Sequence, residues 1–559
     1  MRSPRTLASL LALVLAAGFL ALAPSADATT APTGDPADGA TERTLPADAL
    51  TAHVDGVNYD RVVMPDGSAE LPYPTIDWAL AATKATRESG RAVRIVVAPG
   101  TYRETVKITG AAAGPLVLES AAPGEAIITG ADVETRWTPV EGTPLVQAPW
   151  LADWGLSPVP SSWGDAVQVS DGVRRREVVT VDGQPLTQVL SPEDLTEGSF
   201  LVDEAADALY VHPPAGAAPD LQGDLVEVST RRQVLQLGAG ATGVTVRGFT
   251  FQAGAPDFTK FMANVSEVED VVIEQNRFRH SGWGGLFICC ADGVTVRGNV
   301  AEANGGNGID TYKAHDLVVQ GNVATGNNVR GAQNGYVGWS VAGSKNMLLH
   351  RAVFRDNVWD ANWARGLWFD TDVVDVLVDG DRSCGNFRDG VFLEALSGPI
   401  TLRDSTFCGN GRAGVIVSSA GGVTLEGSTL ADNPYGQLAF SGERSRTWTD
   451  HETGASRTVH DFTDWTLRGN VLRDAGTAPL VFSPVLTQAE WRTKLQAGEL
   501  RATGTVWERP SLDGAITIYG QPFAIEEWNA LTGDGAATAP TKGKGAKVGG
   551  PAQGKGAKS

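Results

Sequence analysis

The chain has 559 residues, 66 of them Gly and 4 of them Met, and a formal net charge of −20. So acidic a balance argues against nucleic acid as a partner, because a nucleic-acid face must be basic to displace counterions. It also disfavours a strongly anionic polysaccharide unless calcium or a local basic patch intervenes. Abundant Gly with few long helix-forming runs points to β structure with many turns.

The first element in chain order is a secretory signal peptide over residues 1–28. Arg2 and Arg5 form its charged region, Leu7 to Ala23 its apolar core, and Ala26-Asp27-Ala28 a small-residue cleavage signal. The expected product is secreted, and no later segment is apolar over a length that would span a bilayer. Residues 29–50, rich in Ala, Thr, Pro and Asp, read as a flexible leader. An N-terminal cap and first coils occupy 51–131. There "YPTIDWALAAT" places Thr75 at a helix start, and "VRIVVAPGTYRETVKI" predicts two strands around a Pro-Gly turn. Residues 132–232 break the later rhythm, and "EVVTVDGQPLTQVL" and "GSFLVDEAADALYVHP" read as hairpins of an inserted β module.

Residues 233–534 repeat. "GVTVRGFTF", "DVVIEQNRF", "GVTVRGNVA", "DLVVQGNVA", "DVLVDGDRS", "GPITLRDST" and "GVTLEGSTL" recur every 23 to 30 residues or so. A second series alternates with them: "GGLFICC", "NGIDTYK", "VGWSVAG", "RGLWFDT", "DGVFLEA" and "AGVIVSS". A unit this small cannot bury its own apolar face, so the units must stack. The fold class expected is all-β, a parallel β-helix solenoid. "TQAEWRTKLQAG" and "FAIEEWNALTG" read as short helices covering its last edge. Residues 535–559, rich in Lys and Gly, read as a disordered tail.

Aligning the second series on Gly285, Gly308, Gly338, Gly366, Gly390 and Gly414 puts Asn304, Asn334, Asn362, Asn386 and Asn410 in one column, read as a structural amide ladder. Cys384 and Cys408 then fall on adjacent coils, within reach of a disulfide. Cys289 and Cys290 are left as buried thiols or a strained vicinal pair. No residue is assigned as a metal ligand, and His315 and His350, isolated in sequence, take no role.

Strand alternation divides each repeat. Leu367 and Phe369, Val391 and Leu393, and Val415 and Val417 point inward. Asp310 and Tyr312, Trp368 and Asp370, and Phe392 and Glu394 point outward. Asp370 and Glu394 thus share an outward column on consecutive coils, about 5 Å apart, near the spacing of a retaining glycosidase pair. Two carboxyls that close cannot both ionise freely, so one keeps a proton to donate. Trp368, Phe392 and Tyr312 would offer aromatic faces to sugar rings. Asp372 would orient a hydroxyl or itself attack, and Asp310, about two rungs from Asp370, leaves an inverting pair open. Arg365 and Arg388, with Lys313, border the face as groups for hydroxyls or a uronate.

These repeats resemble the right-handed parallel β-helix proteins of the pectin-lyase-like superfamily, over about residues 55–530. The pair "GLWFDTD" and "GVFLEA" is similar to sites in β-helix glycosidases, a β-xylosidase family among them. That resemblance implies Asp370 (or Asp372) as nucleophile and Glu394 as acid/base. The reading is a secreted, monomeric, retaining glycoside hydrolase acting on a plant or microbial polysaccharide or oligosaccharide without a cofactor. One rival is a calcium-dependent lyase or epimerase, with Asp310, Asp370, Asp372 and Glu394 gathered round the ion. The other is a carbohydrate-binding or cell-surface solenoid.

Overall fold

The computed structural model describes residues 45–58, 63–110 and 115–535. The expected signal peptide, most of the leader and nearly all of the Lys/Gly-rich tail lie outside them. Among the described residues no helix is long and apolar enough to cross a membrane.

Short parallel strands stack into a solenoid, each coil contributing to up to three faces. On the first face, Leu367 pairs with Val391, and Val391 with Val415. On the second, Val376 pairs with Ile400 and Ile400 with Val423. On the third, Cys384 lies opposite Cys408. The commonest step from rung to rung is 23 or 24 residues. Strand alternation sends Leu367, Phe369, Val391, Leu393 and Val415 into one continuous core, where each is fully buried. A disulfide joins Cys384 and Cys408 across adjacent rungs, with Cα atoms 4.5 Å apart. Cys289 is half-buried and Cys290 exposed, both as free thiols, so neither expected state of that pair is present.

The amide ladder runs Asn304, Asn327, Asn362, Asn386, Asn410 and Asn433; from Asn327 on, each side-chain oxygen accepts from the backbone N–H of the Asn one rung before, and that of Asn304 accepts from Ser281 N. This corrects the expected column in one place. Asn334 is not a rung; its amide donates to the Arg330 carbonyl at the end of the helix Val329–Gln333. From Asn327 to Asn362 the step lengthens to 35 residues, because a segment around 329–341 is inserted there. The glycine that opens the coil is therefore Gly343 and not Gly338. A Cβ on Gly343 would lie 2.5 Å from the Asn362 amide nitrogen, and one on Gly366 would lie 2.6 Å from that of Asn386. The glycine column exists because the ladder occupies the space a side chain would need.

At the N-terminal end the helix Ile76–Ala82 begins at Thr75, whose hydroxyl accepts from Trp78 N. "VRIVVAPGTYRETVKI" forms three strands, Val93–Val97, Gly100–Tyr102 and Val106–Ile108, one more than expected. The strand Val106–Ile108 pairs directly with Leu235–Leu237, so the intervening module loops out of the stack. That module has its own core, including Trp137, Trp150, Val179, Phe200 and Val211. Its strand Ser199–Asp203 forms a hairpin with Ala208–His212. The helices Gln488–Gln496 and Ile525–Thr532 close the far end, burying Trp491 and Trp528.

Candidate active site

The first face carries two outward columns. One contains Lys345, Trp368, Phe392 and Ile416; the other contains Tyr312, Met347, Asp370, Glu394 and Ser418. Asp310 precedes Thr311, the register partner of Asn346, and so stands beside Lys345, whose backbone N–H it accepts at 2.9 Å. Asp370 and Glu394 are register partners, one rung or about 4.8 Å apart along the stack.

Outward does not mean exposed here. Trp368 and Phe392 keep only 4% and 8% of their surface, with ring centroids 5.1 Å apart. The Arg365 guanidinium lies 4.4 Å from the Trp368 ring and 4.7 Å from Phe392, and Lys345 Nζ is 3.6 Å from Trp368. The expected bare sugar platform is therefore corrected: these rings are roofed by cations and packed beside Ala342, Ala413 and Ala439. Arg365 is itself a buried strut, donating to the Gly338 carbonyl and pairing with Asp389 at 3.3 Å; burial pushes its pKa down to about 10. Arg388 is half-buried, with Asp389 and Arg412 as charged neighbours. Tyr312 remains 38% exposed. Asp310 is buried, holds the Asn307 amide at 2.5 Å, and is pushed up to about 7 by that burial.

The two central carboxyls occupy different environments. Asp370 is ion-paired to Lys345 Nζ at 2.9 Å and accepts from the Thr371 hydroxyl at 2.8 Å. Glu394 takes Arg446 Nη1 at 3.1 Å. Burial, reinforced by the charge of Asp370, pushes Glu394 up to about 7 despite Lys345, Arg446 and Arg365 nearby. A pair split in this way contains one group that holds a proton near neutrality and one that is matched to a cation.

Asp372 does not share that face. Thr371 and Asp372 both adopt positive φ, 49° and 58°, which ends the strand and turns the Asp372 carboxyl aside. It is fully buried and accepts from His451 N at 2.7 Å and Trp448 Nε1 at 3.3 Å. His451 and Trp448 belong to a hairpin, Ser445–Thr449 with Ser456–His460, inserted between coils. The same hairpin delivers Arg446. His315 and His350, isolated in sequence, are register partners on adjacent rungs beneath it.

The sequence reading missed Lys345, Arg446 and His451. Lys345 had a signal: counting from Gly343 instead of Gly338 puts it in the outward column. Arg446 and His451 had none, because they reach the site from an insertion with no repeat. The 329–341 insertion also builds a flank. Tyr336 and Val341 pack with Phe258 and Trp283 of the repeat region and with Val173 of the looped-out module, and Trp339 stays 51% exposed, edge-on to Trp163 at 6.0 Å.

No protein-family model matches the sequence, and no curated protein does. Solved structures do. A structure of XylC with xylose aligns over 82% of this chain and 83% of its own, at 15% identity and a TM-score of 0.61. A structure described as a glycoside hydrolase aligns over 83% of this chain and 97% of its own, at 12% identity and a TM-score of 0.45. The A-module of the Azotobacter vinelandii mannuronan C-5 epimerase AlgE6 aligns over 83% and 95%, at 14% identity and a TM-score of 0.44. The structural neighbours of this chain are pectate-lyase-like right-handed parallel β-helix proteins, and what it shares with the XylC structure is the fold.

Proposed function

We propose that the chain is an exported glycoside hydrolase on a right-handed parallel β-helix, acting with retention of configuration. The observation that carries this reading is the Asp370–Glu394 pair: register partners on adjacent rungs, one ion-paired to Lys345 and the other pushed up to about 7. Glu394 donates its proton to the glycosidic oxygen as Asp370 attacks the anomeric carbon. The leaving group departs with that proton, and the sugar is held as an ester on Asp370. Glu394, now a carboxylate, takes a proton from water, whose oxygen attacks the same carbon and frees Asp370. Trp339, half exposed on the flank, replaces Trp368 and Phe392 as the indole able to stack on a ring.

Xylosides are the first substrates to try, since the XylC structure holds xylose. Glu394→Gln should cost about 10²–10⁴-fold in kcat/KM, and Asp370→Asn at least as much. Proton NMR should show the first-formed anomer with the configuration of the substrate. Full turnover in both variants, or an inverted first product, would sink the assignment. Against the calcium-dependent reading stands the placement of Asp372, whose carboxyl is turned to His451 and away from the face that carries Asp370 and Glu394.

A further inference from the structure

The glycosidase reading leaves three histidines unused. His315 and His350 come from adjacent rungs of the solenoid, and His451 from the turn of the hairpin laid across them. Each offers one ring nitrogen, and the three nitrogens lie within 4.8 Å of one another. The rings pack directly, with centroids 4.3 Å apart for His350 and His451 and 5.1 Å for His315 and His451.

A carboxylate oxygen stands near the Nδ1 of each imidazole. Glu452 spans two of them, Oε1 at 3.1 Å from His315 Nδ1 and Oε2 at 3.0 Å from His350 Nδ1. Asp372 Oδ2 lies 2.5 Å from His451 Nδ1. For His350 and His451, Nδ1–H donating to the carboxylate leaves Nε2 its lone pair, the arrangement in which histidines bind metal; the buried Nδ1 of His315 has no hydrogen-bond partner. Nε2 of His350 and of His451 is buried and has no hydrogen-bond partner. Asp372 Oδ2 also stands 3.4 Å from His350 Nε2.

We propose that His315, His350 and His451 bind a divalent transition metal of the zinc class, with Asp372 and Glu452 orienting the rings. Imidazole nitrogen selects zinc and its neighbours over calcium or magnesium. Tetrahedral Zn–N bonds need nitrogens about 3.3 Å apart, a closure that ring rotation supplies. Two ligands belong to the solenoid and one to the hairpin, so the ion would pin the hairpin down and with it Arg446, which reaches Glu394. The site does not depend on what the carboxyl pair does.

The test uses the untagged full chain, stripped with chelator and then given zinc or cobalt separately. About one zinc per chain should survive gel filtration. Cobalt should give the visible absorption of a low-coordinate nitrogen site, and zinc should raise Tm. His350→Ala and His451→Ala should each lose most of the retained zinc and the cobalt spectrum; His315→Gln serves as a third variant should either fail to fold. A folded wild type that retains neither metal, or variants that retain it undiminished, would overturn the proposal. The readout is binding and not turnover, so either result leaves the carboxyl pair to its own test.

Discussion

At the scale of single residues, the site is set by which cation reaches which carboxyl. Lys345 approaches Asp370 from the preceding rung, while Arg446 reaches Glu394 from the hairpin. Arg446 favours the ionised form of Glu394, so its removal leaves burial and the Asp370 charge less opposed. Arg446→Ala should therefore move the alkaline limb of the kcat/KM profile to higher pH, the acid keeping its proton longer. The measurement is kcat/KM against pH for wild type and variant on one glycoside. A limb that stays put or moves down would separate Arg446 from Glu394.

At the scale of elements, the solenoid accepts insertions at its turns, and these decide what was legible. The outward placement of Asp370 and Glu394 follows from period-2 alternation plus a constant rung step, both visible in "GLWFDTD" and "GVFLEA". The same logic put Cys384 opposite Cys408. It failed at the 35-residue step, where a glycine inside the insertion stood in for the true coil glycine and hid Lys345. It could not foresee that Trp368 would be roofed, because Arg365 and Lys345 reach over it through tertiary packing alone. Nor could alternation follow Asp372 past two residues of positive φ. The disulfide gives a test at this scale. Closing a 24-residue separation restricts the unfolded chain by about 3.5 kcal/mol. Cys384→Ser with Cys408→Ser should lower unfolding free energy by up to that amount, read from denaturant melts, with the rung hydrogen bonds kept. No change in midpoint would mean that the unfolded chain gains nothing from the missing link.

At the scale of the whole molecule, the buried Asp310 and Asp381 and the half-buried Glu394 are each pushed up to about 7, burial being the largest cause. Asp381 takes an amide's place in a second ladder, accepting from Asn357 N at 2.9 Å and Trp359 Nε1 at 2.8 Å. The folded chain thus holds protons that the unfolded chain releases near pH 4, and the stability this confers is lost as pH rises from there through 7. His280, pushed down to about 4 by burial, works the other way, its cost fading as pH climbs past 6.5. Between pH 6 and 8 the carboxyls decide. Tm should fall over that interval at fixed salt, and fall less in Asp381→Asn. The net charge of −20 adds self-repulsion of the same sign. An equal slope in wild type and Asp381→Asn would remove Asp381 from the account.

The amide ladder bears on how the protein ages. Asn304 and Asn410 are each followed by Gly, the dipeptide that most readily closes to a succinimide and deamidates in a loose chain. Closure needs the glycine nitrogen to turn back on the Asn side chain. Here Gly305 N is held by the Ser281 carbonyl at 2.9 Å and Gly411 N by the Asn386 carbonyl at 2.8 Å, while both amides are locked between rungs. The stacking that builds the solenoid thereby shields these two Asn-Gly dipeptides, and the lifetime of their amides becomes a property of the fold.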